Sequence, residues 1–365
     1  MTRMTIETAT HPPTPGVMFG SPEALRRLED VSAVHHNHDL GRRVAELRTW
    51  VEGDLADVEA ALSALDRTGT PMHASAGHLL ALGGKRLRPM CVALAARAGQ
   101  GFNLAARDLA VAAELVHNAT LLHDDVVDLG DVRRGAPAAR LVYGNAASVF
   151  AGDWLLVEAI ARIRSAGLPD LLDRALGVLR AMLSAEAFQL AARGTFAPDL
   201  GAYLKVVEGK TASLFEWAMF AGARAGGLPL AQCEALEAYG RNLGVAFQVM
   251  DDVLDLSGEA AVVGKSLFSD LREGKLTHPL LLAVERDAGF AGDLRDWCLA
   301  EGTALDPALE ARAAAAVRET GALDDSVAFA RRLSNDAIRR LGAVPAGRAR
   351  ESLEAVAAAL LQRRK

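Results

Sequence analysis

The chain has 365 residues, of which 51% are hydrophobic, 24% charged and only 5% aromatic, enough apolar material for a substantial core in one large or two ordinary domains. Its 40 Lys plus Arg against 46 Asp plus Glu leave a net charge of -6, which excludes an extended cationic footprint for nucleic acid; any anionic ligand must meet a local basic cluster. The three cysteines, Cys91, Cys233 and Cys298, are widely spaced and form no CxxC pair, which excludes a disulfide framework or thiolate zinc site and fits a reducing cytoplasm.

Residues 1–40 mix Thr, Pro, Gly and His, as in HPPTPG, and are read as a partly disordered N-terminal extension. His35, His36 and His38 lack placed carboxylate or thiolate partners, so a solvated surface outweighs a metal site there. From there on, Ala- and Leu-rich stretches carry apolar residues at three- and four-residue spacing, and residues 41–365 are expected to form one all-helical domain. Helices are predicted over roughly 42 to 66, 74 to 98, 105 to 128, 138 to 166, 170 to 193, 200 to 226, 231 to 255 and 277 to 288, with shorter ones to the C-terminus. Strand signals are scarce, so the fold class is all-α. The polar, Gly-punctuated stretch from Ser257 to Lys275 reads as a functional loop. No stretch approaches the length of uninterrupted apolar residues that a membrane span requires, and the N-terminus lacks a secretory pattern, so a soluble cytoplasmic protein without stable membrane insertion is expected.

Two segments, HNATLLHDDVVD ending at Asp128 and NLGVAFQVMDDVLD ending at Asp255, each put DDxxD at the end of an apolar helical stretch. On a helix Asp124 and Asp128 share a face, as do Asp251 and Asp255, while Asp125 and Asp252 lie about 100° away. His117 and Gln248 extend each polar stripe down its helix. Like charges four apart disfavour a helix by roughly 0.2–0.5 kcal/mol per pair unless a cation neutralises them. Carboxylates at the C-terminal end also oppose the helix dipole, which makes a merely solvated acidic end uncomfortable. Two facing clusters of hard oxygen suit Mg²⁺, which keeps several waters and bridges carboxylates to phosphate.

Basic residues complete the pattern. GGKRLRP, from Gly83 to Pro89, sets Lys85, Arg86 and Arg88 beside glycines. Arg133 and Arg134 follow the first acidic cluster, and Lys210, Lys265 and Lys275 stand in EGKTASLF, VGKS and EGKLTHP. Carboxylates with this many cations fit metal and diphosphate together.

GGKRLRP, LLHDDVVD followed by RRG, GNAAS, GKTASLF, FQVMDDVLD and GKLTHP, in this order over roughly residues 75 to 290, resemble the signatures of the trans-isoprenyl diphosphate synthases, the polyprenyl synthetase family. The resemblance implies a single helical bundle of the isoprenoid synthase type around a central active-site cavity. It implies a prenyltransferase that condenses isopentenyl diphosphate with an allylic diphosphate, using Mg²⁺, three ions per site. Carried over, Asp124, Asp125, Asp128, Asp251, Asp252 and Asp255 are the metal-binding carboxylates, five of them, with Lys210, counted as catalytic and Asp255 as a ligand alone. Lys85, Arg88, His117 and Arg134 would hold the isopentenyl diphosphate; Arg133, Lys210, Thr211, Gln248, Lys265 and Lys275 would address the allylic one; Arg86 fits less well. The small Ala119 and Thr120, one turn before the first cluster, leave the product tunnel open and favour a long-chain enzyme of the octaprenyl, solanesyl or decaprenyl type; a farnesyl or geranylgeranyl synthase is the alternative. Phe150 and Trp154 are read chiefly as core packing, with a raised tunnel floor as the rival reading. Homodimers are usual in such a family, and intact acidic clusters argue against a non-catalytic regulatory subunit.

Overall fold

The computed structural model describes residues 38–65, 69–193, 195–257, 267–300 and 305–362. His35, His36, Lys265 and most of the expected N-terminal extension lie outside them. The described chain is all-α apart from one two-residue ribbon. Helix α1 spans His38–Ser63, α2 Pro71–Ala81, α3 Leu87–Arg97 and α4 Leu104–Val127. Strands β1, Val132–Arg133, and β2, Ala136–Pro137, precede α5, Ala139–Tyr143, α6, Asn145–Ser165, and α7, Pro169–Ala192. Helix α8, Leu200–Val207, runs through a π turn, Glu208–Ala212, into α9, Ser213–Ala225, and α10 covers Leu230–Leu256. The rest comprises α11 Ser269–Arg272, α12 His278–Arg286, α13 Ala288–Leu299, α14 Pro307–Glu319, α15 Ala322–Arg340, a 3₁₀ turn Leu341–Ala343, and α16 Arg348–Leu360.

Two predicted helices are each divided. The span 74 to 98 breaks between α2 and α3, where Gly83 and Arg86 take left-handed φ of 69° and 49°. The span 138 to 166 breaks at Gly144, which has a φ of 86°. The ribbon was not anticipated: Val132 pairs with Pro137 and Arg133 with Ala136 around Arg134 and Gly135. Both turn residues have positive φ, 53° and 77°, the pattern of a tight two-residue hairpin. Side-chain caps fix other starts: the Thr70 hydroxyl accepts from the His73 amide, and the Asn103 carbonyl oxygen from Ala106.

Helix α4 is the centre of the larger core. Every residue from Leu109 to Val116 is buried, because α3, α6 and α9 surround it. A helix apolar on all sides has to be enclosed in this way. The next helix pair, α9 and α10, packs closely, and α10 in turn lies against α15. Helices α3 and α9 approach so closely that a Cβ at Gly222 would lie 2.2 Å from the Val92 carbonyl oxygen. A smaller core joins α12, α13 and α14 to Phe268 and Leu271 beside the end of α10.

Some apolar surface is left uncovered. On α6, Phe150 is 60% exposed and Val149 and Val157 are exposed with it; on α7 so are Leu183, Phe188 and Leu190. Phe150 is therefore not core packing, because α6 turns it away from α4. Trp154 is half-buried, edge-on to His73 at 5.0 Å. Helix α7 is also long and apolar enough to cross a membrane, with a mean hydropathy of 1.2 over its apolar window, 17% of it buried.

Arg86 belongs to this framework. It is buried, pairs with Glu59 of α1, and donates to Glu114 of α4 at 2.5 Å. Burial alone would push its pKa down, but the two carboxylates outweigh that and hold it raised, while Glu114 falls to about 2. Removing the guanidinium leaves Glu114 unpaired in the interior and the half-buried Glu59 without its partner. Arg86→Met is expected to destabilise the fold by about 3–5 kcal/mol, measured as the shift in a urea unfolding curve; an unshifted midpoint would contradict the bridging role.

Candidate active site

The C-terminal ends of α4 and α10 meet across a cavity of about 660 Å³. Asp124 and Asp128 line it from α4, as their four-residue spacing requires. From α10 the cavity wall includes Gln248 and Asp252. Gln248 and Asp252 are four apart and share a face of α10, and the Gln248 amide donates to Asp252 at 2.9 Å. Asp255 instead anchors α11, accepting from the Ser269 hydroxyl at 2.6 Å and from the Ser269 and Asp270 amides. Asp251 is half-buried. Asp125 is buried and pairs with Arg133, whose Nε donates to it at 2.9 Å.

Each cavity carboxylate has its own electrostatic setting. Burial raises Asp124 to about 6, against the pull of Lys210, whose Nζ lies 3.6 Å away. At Asp128 burial also acts upward, but Lys275 at 3.5 Å and Arg193 prevail and hold it below the usual range. Asp252, 2% exposed, is pushed up to about 8 by burial and then by Asp270, despite hydrogen bonds from the Tyr203 hydroxyl at 2.6 Å and from Gln248. The structure thus sets cations against Asp124 and Asp128 and neutral donors against Asp252.

Lys210 sits in the π turn that joins α8 to α9, and such turns commonly re-aim a functional side chain. It pairs with Glu186 as well as Asp124, and its ammonium lies 3.5 Å from the Gln189 side-chain oxygen Oε1. Thr211 donates to Gln248 at 3.0 Å, so the two expected ligands support each other. Lys275 also pairs with Glu273, and that carboxylate overcomes burial to keep its pKa raised.

A second basic group gathers behind the hairpin. Lys85 lies 5.9 Å from the Phe247 ring centre, and the Arg88 guanidinium 4.7 Å from that of Phe215. Arg88 Nε is buried with no hydrogen-bond partner, and desolvation lowers this side chain to about 10. Arg134 approaches Gly84, where an added Cβ would meet its Nη2 at 3.0 Å. Burial, then Arg88, depresses His117 well below its ordinary pKa, with Arg134 and Arg133 acting the same way. Lys85, Arg88, His117 and Arg134 thus converge on one region, while Arg86 is turned into the framework. Nearby, Ala119 is buried and the Thr120 hydroxyl donates to the His117 carbonyl at 2.8 Å.

The sequence reading missed Glu186, Gln189, Arg193, Tyr203, Asp270 and Glu273. Glu186 and Gln189 stand one turn apart in a largely apolar helix, which was a usable signal. Arg193, Tyr203 and Asp270 owe their roles to distant partners, whereas Glu273 pairs with Lys275 only two residues on.

Among the described residues no three His, Cys, Asp or Glu side chains form a ready-made metal cage. The donor set nevertheless fits a hard divalent cation that takes few protein ligands: Asp124, Asp128 and Asp252 offer only oxygen, and cations already balance the first pair.

The raised Asp252 gives a pH test. Folding lifts its pKa from the ordinary 3.8 to about 8, so the folded protein holds a proton that the unfolded chain has lost between those values. Its contribution to stability is present below about pH 4 and declines as pH rises through 8. Metal-free protein should therefore lose more stability between pH 6 and pH 8 than Asp252→Asn does. Equal losses in urea melts at the two pH values would refute the assignment.

The family model described as polyprenyl synthetase matches residues 70–303. The octaprenyl diphosphate synthase of Escherichia coli is 35% identical over 316 residues, 85% of this chain and 96% of that protein. Heptaprenyl diphosphate synthase component 2 of Geobacillus stearothermophilus is 33% identical, covering 86% and 97%. A Caulobacter crescentus polyprenyl synthase, solved with calcium and isoprenyl diphosphate, superposes with a TM-score of 0.79 at 36% identity, over 95% of this chain and 99% of that one. With both carboxylate-bearing helices and their cations in place, the chain belongs to the polyprenyl synthetase family and is a prenyltransferase.

Proposed function

We propose that this enzyme is a Mg²⁺-dependent trans-polyprenyl diphosphate synthase that condenses isopentenyl diphosphate repeatedly with an allylic diphosphate to a product beyond twenty carbons, of the kind used as a quinone side chain. The carrying observation is the meeting of Asp124, Asp128 and Asp252 across one cavity that Arg133, Lys210 and Lys275 also line. The magnesium ions, three per site, would be held by Asp124, Asp128 and the second acidic cluster, and supply electrostatic stabilisation of the leaving diphosphate.

The chain's residues divide the remaining tasks. Arg133, Lys210, Thr211, Gln248, Lys265 and Lys275 address the allylic diphosphate; Lys85, Arg88, His117 and Arg134 hold the isopentenyl diphosphate. The allylic C–O bond breaks with its electron pair going to diphosphate, the isopentenyl double bond attacks the cation, and the departing diphosphate takes the proton whose loss forms the new double bond. No side-chain nucleophile is needed, and apolar walls keep water from the cation.

Small Ala119 and Thr120 support extended elongation, as do relatives named for seven and eight prenyl units. The exposed apolar band on α6 and α7 supports a homodimer, since an uncovered patch of this kind suits a second copy. The relative named component 2 belongs, by its name, to a multi-part enzyme. Here the complete charge set favours a self-sufficient catalyst. Residues 41–365 form the catalytic domain, with 1–40 as an extension, and the enzyme works in the cytoplasm.

Purified protein incubated with Mg²⁺, labelled isopentenyl diphosphate and separate five-, ten-, fifteen- and twenty-carbon primers should yield products beyond twenty carbons on chromatography. Termination at fifteen or twenty would replace the long-chain reading with a short-chain synthase, and no condensation with any primer would favour a partner-dependent subunit. Ala119→Phe should shorten the product distribution while condensation persists; unchanged products would remove Ala119 from the tunnel.

A further inference from the structure

Arg193 ends α7, where the backbone turns extended with φ −60° and ψ 139°. Its side chain lines the cavity and is 27% exposed. One terminal nitrogen pairs with Asp128, the other lies 3.4 Å from the Val127 carbonyl, and Nε is buried without a hydrogen-bond partner. A guanidinium offers five N–H donors in a planar fork suited to oxyanions. Here one carboxylate oxygen and one long carbonyl contact engage it, so much of its donor capacity is unused.

Its position creates a conflict. Asp128 also faces Lys275 at 3.5 Å, and a divalent ion on that carboxylate would stand beside two cations. Either the ion binds weakly or a cation leaves for another anion. Lys210 and Lys275 line the same wall, whereas Lys85, Arg88 and His117 do not line this cavity. An anion reaching Arg193 from the cavity is therefore the one those two lysines address.

We propose that Arg193 is an exchangeable counter-cation, holding Asp128 in the metal-free enzyme and transferring its fork to the allylic diphosphate once divalent ions occupy the carboxylate. The inference rests on the synthase reading above. It makes Arg193 a substrate-binding residue that also sets the order in which metal and diphosphate bind tightly, since Mg²⁺ alone must displace it and diphosphate removes that cost.

The test compares wild type, Arg193→Gln and Arg193→Lys by calorimetric titration, first with Mg²⁺ alone and then with inorganic pyrophosphate at saturating Mg²⁺. Arg193→Gln should bind Mg²⁺ alone several-fold more tightly and pyrophosphate about tenfold more weakly, as expected for loss of a charge-assisted contact. Its KM for the allylic primer should rise while that for isopentenyl diphosphate stays near wild type, and Arg193→Lys should fall between. A purely structural role, capping α4 through Val127, predicts instead a lower melting temperature with the two affinities moving together or not at all, and would overturn the proposal. Wild-type protein that binds Mg²⁺ and pyrophosphate yet condenses no primer would refute the synthase reading, while the opposed shifts would still decide the role of Arg193.

Discussion

The structure depends on a single electrostatic constraint: carboxylates at the C-terminal ends of two helices, aimed into one cavity. Each helix dipole places partial negative charge at that end, so the acids oppose the field of their own backbone. The protein answers in two ways. Around Asp124 and Asp128 it sets Lys210, Arg193 and Lys275; around Asp252 it uses burial and the neutral donors Tyr203 and Gln248. One side is charged and compensated, the other is held ready to lose a proton. A divalent ion would suit both, standing in for a cation on one side and for the proton on the other.

The second basic region obeys the same economy. Arg88 lies against the Phe215 ring and His117 among arginines that favour its neutral form, while Arg86 takes up Glu59 and Glu114. Framework and function are thus separated within one seven-residue motif. The hairpin at Arg134 and Gly135 brings two adjacent arginines to different tasks, Arg133 toward Asp125 and Arg134 toward the Gly84 loop.

Much of this was legible in the sequence. The all-α class followed from three- and four-residue apolar spacing, and the motif spacing named most residues that the fold gathers. What escaped was either rotational or long-range. Spacing alone shows that Asp251 and Asp255 share a face, but only the packing of α10 on α9 and α15 shows that Gln248 and Asp252 face the cavity. Arg86 was ambiguous because its partners lie 27 and 28 residues away. Arg193 and Tyr203 carried no local signal, their partners being 65 and 49 residues distant. Phe150 was misread as interior because an apolar side chain on an amphipathic helix looks the same whether it faces the core or a bare surface.

The π turn at Glu208–Ala212 has a consequence for how this region tolerates change. It inserts one residue into an otherwise continuous helix, which offsets everything before it by about 100° from everything after it. Upstream, α8 keeps Tyr203 on the cavity; downstream, α9 keeps Phe215 and Trp217 in the core. Loss of a single residue here would leave a regular helix, with good propensity and unbroken hydrogen bonds, whose two halves no longer agree on which way is inward. The length of this segment is thus a constraint of its own, separate from the identities of Lys210 and Thr211, which the cavity requires.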